Sequence, residues 1–118
     1  KMVGSEMALL HLIDEFTKKG VNVTTSDLSK QLQISKPAIS QIINQLDEKN
    51  YIIREIDQND RRIICVSLTE LGTAQIEKQM NIMYDRMNTI FEKMGENDSH
   101  KFIELLSKFV EAAKEISQ

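Results

Sequence analysis

The sequence has a single cysteine, a single proline and only four glycines among its 118 residues. Cys65 has no second cysteine with which to form a disulfide inside the chain, and this fits a reducing compartment. No apolar run approaches the roughly 18 residues of a membrane-spanning helix, and the N-terminus lacks a signal-peptide pattern. Low-complexity tracts are absent too, which argues against disorder and against a fibrous repeat. We expect a cytoplasmic protein with one globular unit and a helical extension.

Motifs of catalysis and metal binding are also missing. The sequence has no Ser/His/Asp arrangement, no paired carboxylates and no glycine-rich phosphate loop. His11 and His100 lie far apart, and neither has another histidine or a cysteine nearby in the sequence. We therefore expect no enzymatic activity, no metal site and no cofactor.

The charge balance gives no immediate sign of a nucleic-acid partner, because the net charge is −3 and the isoelectric point is near 5.4. The distribution is uneven, however. From Thr24 to Arg62 six basic side chains balance six acidic ones, whereas residues 63–118 carry six basic and nine acidic side chains. This asymmetry permits DNA binding by the middle of the chain without demonstrating it.

The apolar pattern predicts a helix over Ser5–Lys18 and then two helices separated by a tight turn. Leu28 and Leu32 lie one turn apart, and the turn Gln33–Ser35 interrupts their pattern. Helical spacing then resumes at Ile39, Ile42, Ile43 and Leu46. This arrangement predicts a helix-turn-helix.

The second of these helices, Ser35–Lys49, is the candidate DNA-recognition helix. Ser35 is a good N-cap, and Pro37 falls in the first turn, where its missing N–H is tolerated. Its outward residues are almost all uncharged hydrogen-bonding groups, which suit base edges in the major groove: Lys36, Pro37, Ser40, Gln41, Asn44 and Gln45. Polarity alone would favour an ordinary solvent-facing helix. The tight turn, the short preceding helix and the segment that follows favour DNA.

That following segment, Tyr51–Leu68, changes to a β pattern and predicts a hairpin, or wing, with a polar loop at Asp57–Arg61. Asp60 and Arg62 are two residues apart, so both should point to the same side, where Asp60 can hold the guanidinium for entry into a minor groove. Arg61 should point the other way, toward phosphate. The alternative is a surface ion pair worth less than about 1 kcal/mol.

Two further helices are predicted, the first over Glu70–Met94 and the second near the C-terminus. Each carries an apolar stripe that alternates steps of four and three residues. Such stripes need a partner, and the simplest partner is a second copy of the chain. We expect the dimer contacts at Met83, Met87, Ile90, Phe102, Phe109 and Ala113. The predicted domains are a winged helix-turn-helix over residues 1–72 and a helical dimerisation region over residues 73–118.

Three linked segments resemble the MarR (multiple-antibiotic-resistance regulator) family. Leu46–Ile52, Asp57–Arg62 and Val66–Gly72 are similar to its patterns L-E-x-K-G-(Y/L)-I, D-x-x-D-x-R and V-x-L-T-x-x-G, in order and at the right separations. Ser35–Gln41 resembles the start of its recognition helix. The resemblance implies a mainly helical fold with a small β-wing. It also implies a homodimer that binds a pseudo-palindromic operator, usually as a repressor, and that is often released by a small ligand or by oxidation.

Carried over by position, the resemblance makes Arg62 the minor-groove residue and Asp60 its brace. It places Ser35, Lys36, Ser40, Gln41 and Gln45 against bases and phosphates. The chain departs from the family at Asn50, where Gly is usual, and at Gln41, where Arg is common. Asn tolerates a positive φ, so the turn should survive. The family's N-terminal dimerisation helix has no counterpart before Ser5, so either the C-terminal helices hold the dimer or the sequence is a piece of a longer chain.

Two questions stay open at this level. A lone strand cysteine such as Cys65 is usually a packing residue, and we favour packing over redox sensing. The balanced charge over Thr24–Arg62 also keeps a second function in view, namely a winged-helix protein-interaction module that does not bind DNA.

Overall fold

The computed structural model describes residues 4–117 as a mainly helical protein with one small β-hairpin. This confirms the predicted fold class. The elements in chain order are α1 (Gly4–Lys18), α2 (Thr25–Leu32), α3 (Lys36–Glu48), β1 (Ile52–Ile56), β2 (Ile64–Leu68), α4 (Glu70–Met94) and α5 (Glu96–Ser117). None of the helices in these residues is both long enough and apolar enough to cross a membrane.

The described residues form two compact units, residues 4–79 and residues 80–117. The first unit contains α1, α2, α3, the hairpin and the start of α4, and the second contains the rest of α4 and α5. The sequence-based division into a DNA-binding part, 1–72, and a dimerisation part, 73–118, concerns function and stays a prediction.

The core of the first unit is aliphatic and comes from all of its early elements. Fully burying one such side chain contributes about 1.5–3 kcal/mol. Its fully or almost fully buried members are Leu9, Leu10, Ile13, Val23, Leu28, Ile39, Ile43, Leu46, Ile52 and Val66. Because α1, α2, α3 and both strands contribute, the helix-turn-helix and the wing share one core.

The turn between α2 and α3 is closed by backbone and hydroxyl hydrogen bonds. Gln33 ends α2 in the left-handed conformation, at φ 55°. The Ile34 N–H donates to the Ser29 carbonyl at 3.2 Å, and the Ser29 hydroxyl donates to the Ile34 carbonyl. The start of α2 is equally well defined, since Thr24 and Asp27 form a reciprocal capping box. The angle at which α3 leaves α2 therefore depends on local bonds as well as on the core.

The far end of α3 is tied to the start of α1 by an ion pair. Lys49 Nζ donates to both carboxylate oxygens of Glu6, at 3.0 and 2.8 Å, and the Glu6 side chain is buried. A buried carboxylate is strongly disfavoured unless it is paired and hydrogen-bonded. Glu6 is therefore a structural residue, and this contact holds the C-terminal end of α3 against α1.

The hairpin pairs β1 with β2 in antiparallel register, with Ile52 opposite Leu68 and Ile56 opposite Ile64. Each strand is shorter than the predicted segment, and β2 begins at Ile64 rather than at Arg62. Val66 N–H also donates to the carbonyl of Val23, at 2.9 Å, so the chain before α2 lies along the edge of β2. This contact protects part of an edge that would otherwise be open to pairing with another chain.

The start of α4 packs against the turn that follows α3. Thr69 donates its hydroxyl to the carbonyl of Asn50 at 2.7 Å, and its oxygen accepts from the N–H of Gly72 at 3.0 Å. Asn50 occupies the left-handed region at φ 64°, as expected for the position where the family usually has glycine. Gly72 is required by this close approach, because a Cβ there would overlap the carbonyl oxygen of Tyr51.

We predict that Gly72→Ala lowers the free energy of unfolding by about 1–3 kcal/mol, since neither the helix nor the Tyr51 backbone can move away cheaply. Urea unfolding followed by circular dichroism measures this. Gly4→Ala is the matched control, because a Cβ at Gly4 meets no atom within 4 Å. Equal stability of the two variants would show that the contact with Tyr51 yields easily.

Candidate nucleic-acid interface

The outward side of α3 is the first candidate surface. The structure places Lys36, Pro37, Ser40, Gln41 and Asn44 in solvent, while Gln45 is half-buried. These residues are exposed because the opposite side of the helix, with Ile39, Ile43 and Leu46, is buried in the core.

Ser35 stands at the N-cap of α3, with extended backbone angles. Its hydroxyl oxygen accepts a hydrogen bond from the N–H of Ala38 at 3.3 Å, as expected of a capping serine. The hydroxyl proton remains able to donate to a ligand. Ser35 therefore combines a structural role with an exposed position at the start of the predicted recognition helix.

The tip of the hairpin holds an ordered arginine in solvent. Arg62 donates from Nε to Asp60 Oδ1 at 3.1 Å and from Nη2 to Oδ2 at 3.0 Å. The Arg62 backbone N–H donates to the same Oδ1 at 3.0 Å. Even so, 90% of the Arg62 side chain is exposed. The guanidinium is thus oriented at one edge and free at the rest of its surface.

The two residues meet for a different reason from the one that the strand pattern suggested. They lie in a turn before β2, in which the Ile63 N–H donates to the Asp60 carbonyl at 3.0 Å. An aspartate that accepts from the backbone N–H two residues later is typical of such turns. Arg61 is exposed, and the structure gives it no hydrogen bond or ion pair with any residue between 4 and 117.

This pairing shifts the pKa of both groups in the direction that favours their charged forms. The hydrogen bonds from the Arg62 side chain, and then from its backbone N–H, lower the pKa of Asp60 below its usual value. The same side-chain bond raises the pKa of Arg62. Because the charged carboxylate is favoured, the pair is intact above the usual aspartate range and is lost only when the pH falls through the lowered pKa.

A second arginine, Arg54 in β1, was not among the residues singled out from the sequence. Its Nη1 donates to Asn44 Oδ1 at 2.9 Å and its Nη2 donates to Asp47 Oδ2 at 2.7 Å. The strand thereby contacts the outward side of α3. The alternation of β1 contained the signal, because Arg54 lies on the same face of the strand as Ile52, which is buried.

The residues expected at a dimer contact lie in the second unit and are all exposed there: Met83, Met87, Ile90, Phe102, Phe109 and Ala113. Phe109 is more exposed than Phe102, at 71%. An apolar surface of this extent is unusual on a protein that works alone.

Cys65 and the histidines were the remaining candidates from the sequence. Cys65 is a free, half-buried thiol in β2, opposite Glu55, and both residues line a cavity of about 500 Å³ beside the hairpin. His100 lies 3.9 Å from a carboxylate oxygen of Glu96. Within residues 4–117, no three His, Cys, Asp or Glu side chains group as a metal site would require.

Comparison with known proteins decides the family. A model described as the MarR family matches residues 4–63, slightly more than half of the sequence. The chain belongs to the MarR family. This confirms the resemblance drawn from the three motifs, and it also confirms that the chain is a member of a family of regulators rather than of enzymes.

The curated relatives are distant in sequence. The HTH-type transcriptional regulator YwhA of Bacillus subtilis is 24% identical over 88 residues, which cover 75% of this chain and 63% of that protein. The HTH-type transcriptional repressor MdtR of the same organism is 24% identical over 97 residues, covering 82% and 63%. The chain therefore spans about three fifths of the length of the curated relatives it matches.

Solved structures agree on the fold. The MepR transcription regulator of Staphylococcus aureus superposes with a TM-score of 0.81 at 20% identity, covering 96% of this chain and 81% of that one. Streptococcus pneumoniae FabT, solved in complex with DNA, gives 0.70 at 22% identity, covering 98% and 78%. At this identity the likeness establishes the winged-helix fold.

We predict that Asp60 titrates below the ordinary aspartate pKa, and that Arg62→Ala returns its pKa part of the way toward that value, because the two side-chain hydrogen bonds are lost while the backbone N–H at position 62 still donates. Carbon-13 NMR titration of the Asp60 carboxyl carbon measures both. Arg61→Ala is the control, since it removes a neighbouring charge but leaves the Arg62 bonds in place. A shift of equal size in the two variants would show that general charge, and not the specific pair, governs Asp60.

Proposed function

We propose that this protein is a DNA-binding transcription regulator that acts as a homodimer, with α3 in the major groove and the wing tip in the adjacent minor groove. The observation that carries the proposal is the state of Arg62. This residue is held by Asp60 but remains almost entirely in solvent at the end of a hairpin. An arginine that is both oriented and exposed at the tip of a hairpin is well suited to insertion into a narrow minor groove.

The physical advantage of this arrangement is pre-organisation. A long side chain loses conformational freedom when it is inserted into a groove, and that loss weakens binding. Asp60 restricts Arg62 before DNA arrives, so less freedom is lost on binding. The narrow minor groove concentrates negative potential, which favours an inserted arginine.

In this proposal α3 reads bases, and exposed cations position the protein on phosphate. Its exposed hydrogen-bonding groups can reach base edges, and Arg61 can contact phosphate as a solvent-exposed cation. The DNA-contacting residues would be Ser35, Lys36, Pro37, Ser40, Gln41, Asn44, Gln45, Arg61 and Arg62. Dimer symmetry would place the two half-sites about one helical turn apart.

The relatives support the finer features of the proposal. YetL and MdtR of Bacillus subtilis are named as repressors, which favours repression over activation. MepR and FabT have been solved with DNA, and MepR has also been solved with ethidium bromide. We infer by analogy that a small molecule releases this protein from its operator.

The competing function is a winged-helix module that binds another protein. The balance of charge over residues 24–62 is the observation that favours it. The two functions differ in their response to salt, because only phosphate contacts release counterions when DNA binds. A complete absence of binding to duplex DNA at low salt would favour the protein-interaction module.

We predict that Arg62→Ala weakens binding about tenfold or more, to a duplex selected by the wild-type protein from a random pool, with little change in thermal stability. Because the dimer loses one cation from each of its two wings, the slope of log affinity against log salt should fall by about two. Fluorescence anisotropy at a series of fixed salt concentrations measures both quantities. Asp60→Asn keeps the side-chain shape but weakens the brace, so its loss of affinity should be smaller. Wild-type affinity in Arg62→Ala would remove the wing from the interface.

We predict that Phe109→Glu converts a dimer to a monomer and weakens operator binding, because a charge cannot be buried without a partner in an apolar contact. Sedimentation equilibrium gives the mass, and circular dichroism checks that the helices remain. Ser107→Glu is the matched control, since it adds the same charge to α5 on the side opposite Phe109. A dimer that persists in Phe109→Glu would place the contact elsewhere.

A further inference from the structure

Arg54 connects the wing to the recognition helix through two acceptors that are one helical turn apart. Asn44 and Asp47 are separated by three residues on α3, so their side chains lie next to each other on its surface. Arg54 reaches both, with distances of 2.9 Å to Asn44 Oδ1 and 2.7 Å to Asp47 Oδ2. The guanidinium fork is rigid, so this double contact also fixes the orientation of both partners.

The contact determines which end of the Asn44 amide faces outward. A guanidinium carries donors only, so the atom that faces Arg54 has to be the amide oxygen. The opposite orientation would set two N–H donors against each other. The NH₂ group of Asn44 is therefore turned away from Arg54, on a residue that is exposed on the outward side of α3.

Asp47 adds an electrostatic reason for the same arrangement. A carboxylate close to a DNA-facing surface repels phosphates. Arg54 pairs with this carboxylate and leaves the neighbourhood of Asn44 close to neutral. One arginine thus both orients an amide and offsets an unfavourable charge.

We propose that Asn44 is a specificity residue that reads a base by hydrogen-bond donation alone, and that Arg54 is the positioning residue that imposes this restriction. The proposal rests on the proposed function, since it takes α3 to lie in the major groove. An unrestrained asparagine typically pairs with adenine, accepting from N6 and donating to N7. With its oxygen held by Arg54, Asn44 instead favours edges that present acceptors without a donor that needs a partner, namely O6 and N7 of guanine or O4 of thymine. Adenine also offers N7, but the N6 amine beside it would find no acceptor on Asn44.

Selection of bound duplexes from a random pool, carried out in parallel for the wild type and for variants, tests this proposal. The wild type should show guanine or thymine at one position of each half-site, and Asn44→Ala should lose the preference at that position only. Arg54→Lys keeps the positive charge beside Asp47 but lacks the fork, so the Asn44 amide can rotate. In Arg54→Lys the discrimination against adenine at that position should fall about tenfold, measured by anisotropy with matched duplexes.

Asn44→Asp provides an independent arm that does not alter Arg54. The aspartate keeps an oxygen for Arg54 but replaces the outward NH₂ with an acceptor, so the preference should switch to cytosine, whose N4 donates. Asp47→Asn is the matched control. It retains an acceptor of the same shape for Arg54, and its base preference at that position should equal that of the wild type. Thermal melting of every variant checks that the fold is retained.

Three results would overturn the proposal while the proposed function stands. The first is a wild-type site with adenine at the position that depends on Asn44. The second is an unchanged preference in both Arg54→Lys and Asn44→Asp. The third is a uniform loss of affinity over all sequences in Asn44→Ala, which would make Asn44 a phosphate contact. Failure of the wild type to bind any duplex would overturn the proposed function as well, so the two failures are distinguishable.

Discussion

The buried side of α3, formed by Ile39, Ile43 and Leu46, sets the rotation of this helix about its own axis. These side chains pack in a core with residues of α1, α2 and the hairpin, so a rotation of α3 would expose apolar surface. Rotation in turn decides which residues face outward. The exposed positions of Lys36, Ser40, Gln41 and Asn44 are therefore a consequence of core packing, although none of these residues belongs to the core. Local bonds at the α2–α3 turn and the Glu6–Lys49 ion pair then hold the two ends of the helix in place.

The second theme of the structure is the pairing of charge at the candidate interface. Arg62 pairs with Asp60 and Arg54 pairs with Asp47, so two of the acidic side chains that balance the charge of the middle segment are already bound to arginines. A count of charges treats such pairs as cancelling. In the structure the two pairs differ in exposure. The Arg62 side chain is 90% exposed, whereas Arg54 contacts α3 through Asn44 and Asp47. A low net charge over residues 24–62 is therefore compatible with a surface on which exposed cations, among them the oriented Arg62, remain available to a nucleic-acid partner.

Much of the fold was accessible from the sequence because its signals are local and periodic. The 3.6-residue spacing of apolar positions located α1, α3 and α4, and the change to alternating residues located the hairpin. Cap chemistry placed the start of α3 correctly at Ser35. The ends of the strands were less well predicted: the strand pattern continues through Arg62 and Ile63, but the turn closed by Asp60 takes those residues out of the ladder. The reason is that the hydrogen bond from the Arg62 N–H to the Asp60 side chain competes with strand pairing. A pattern of apolar and polar residues does not reveal such a bond.

What the sequence by itself determined is the family, the order of the elements and the residue types that α3 and the hairpin present. These depend on spacing and on short motifs, which are properties of neighbouring residues. The tertiary structure alone decided which side chains meet across elements: Glu6 with Lys49 over 43 residues, and Arg54 with Asn44 and Asp47 between strand and helix. Such contacts depend on the angle between packed elements, and no local pattern encodes that angle. Asn44 was identified from the sequence as a polar residue on an outward face, but the direction in which its amide donates follows only from its contact with Arg54.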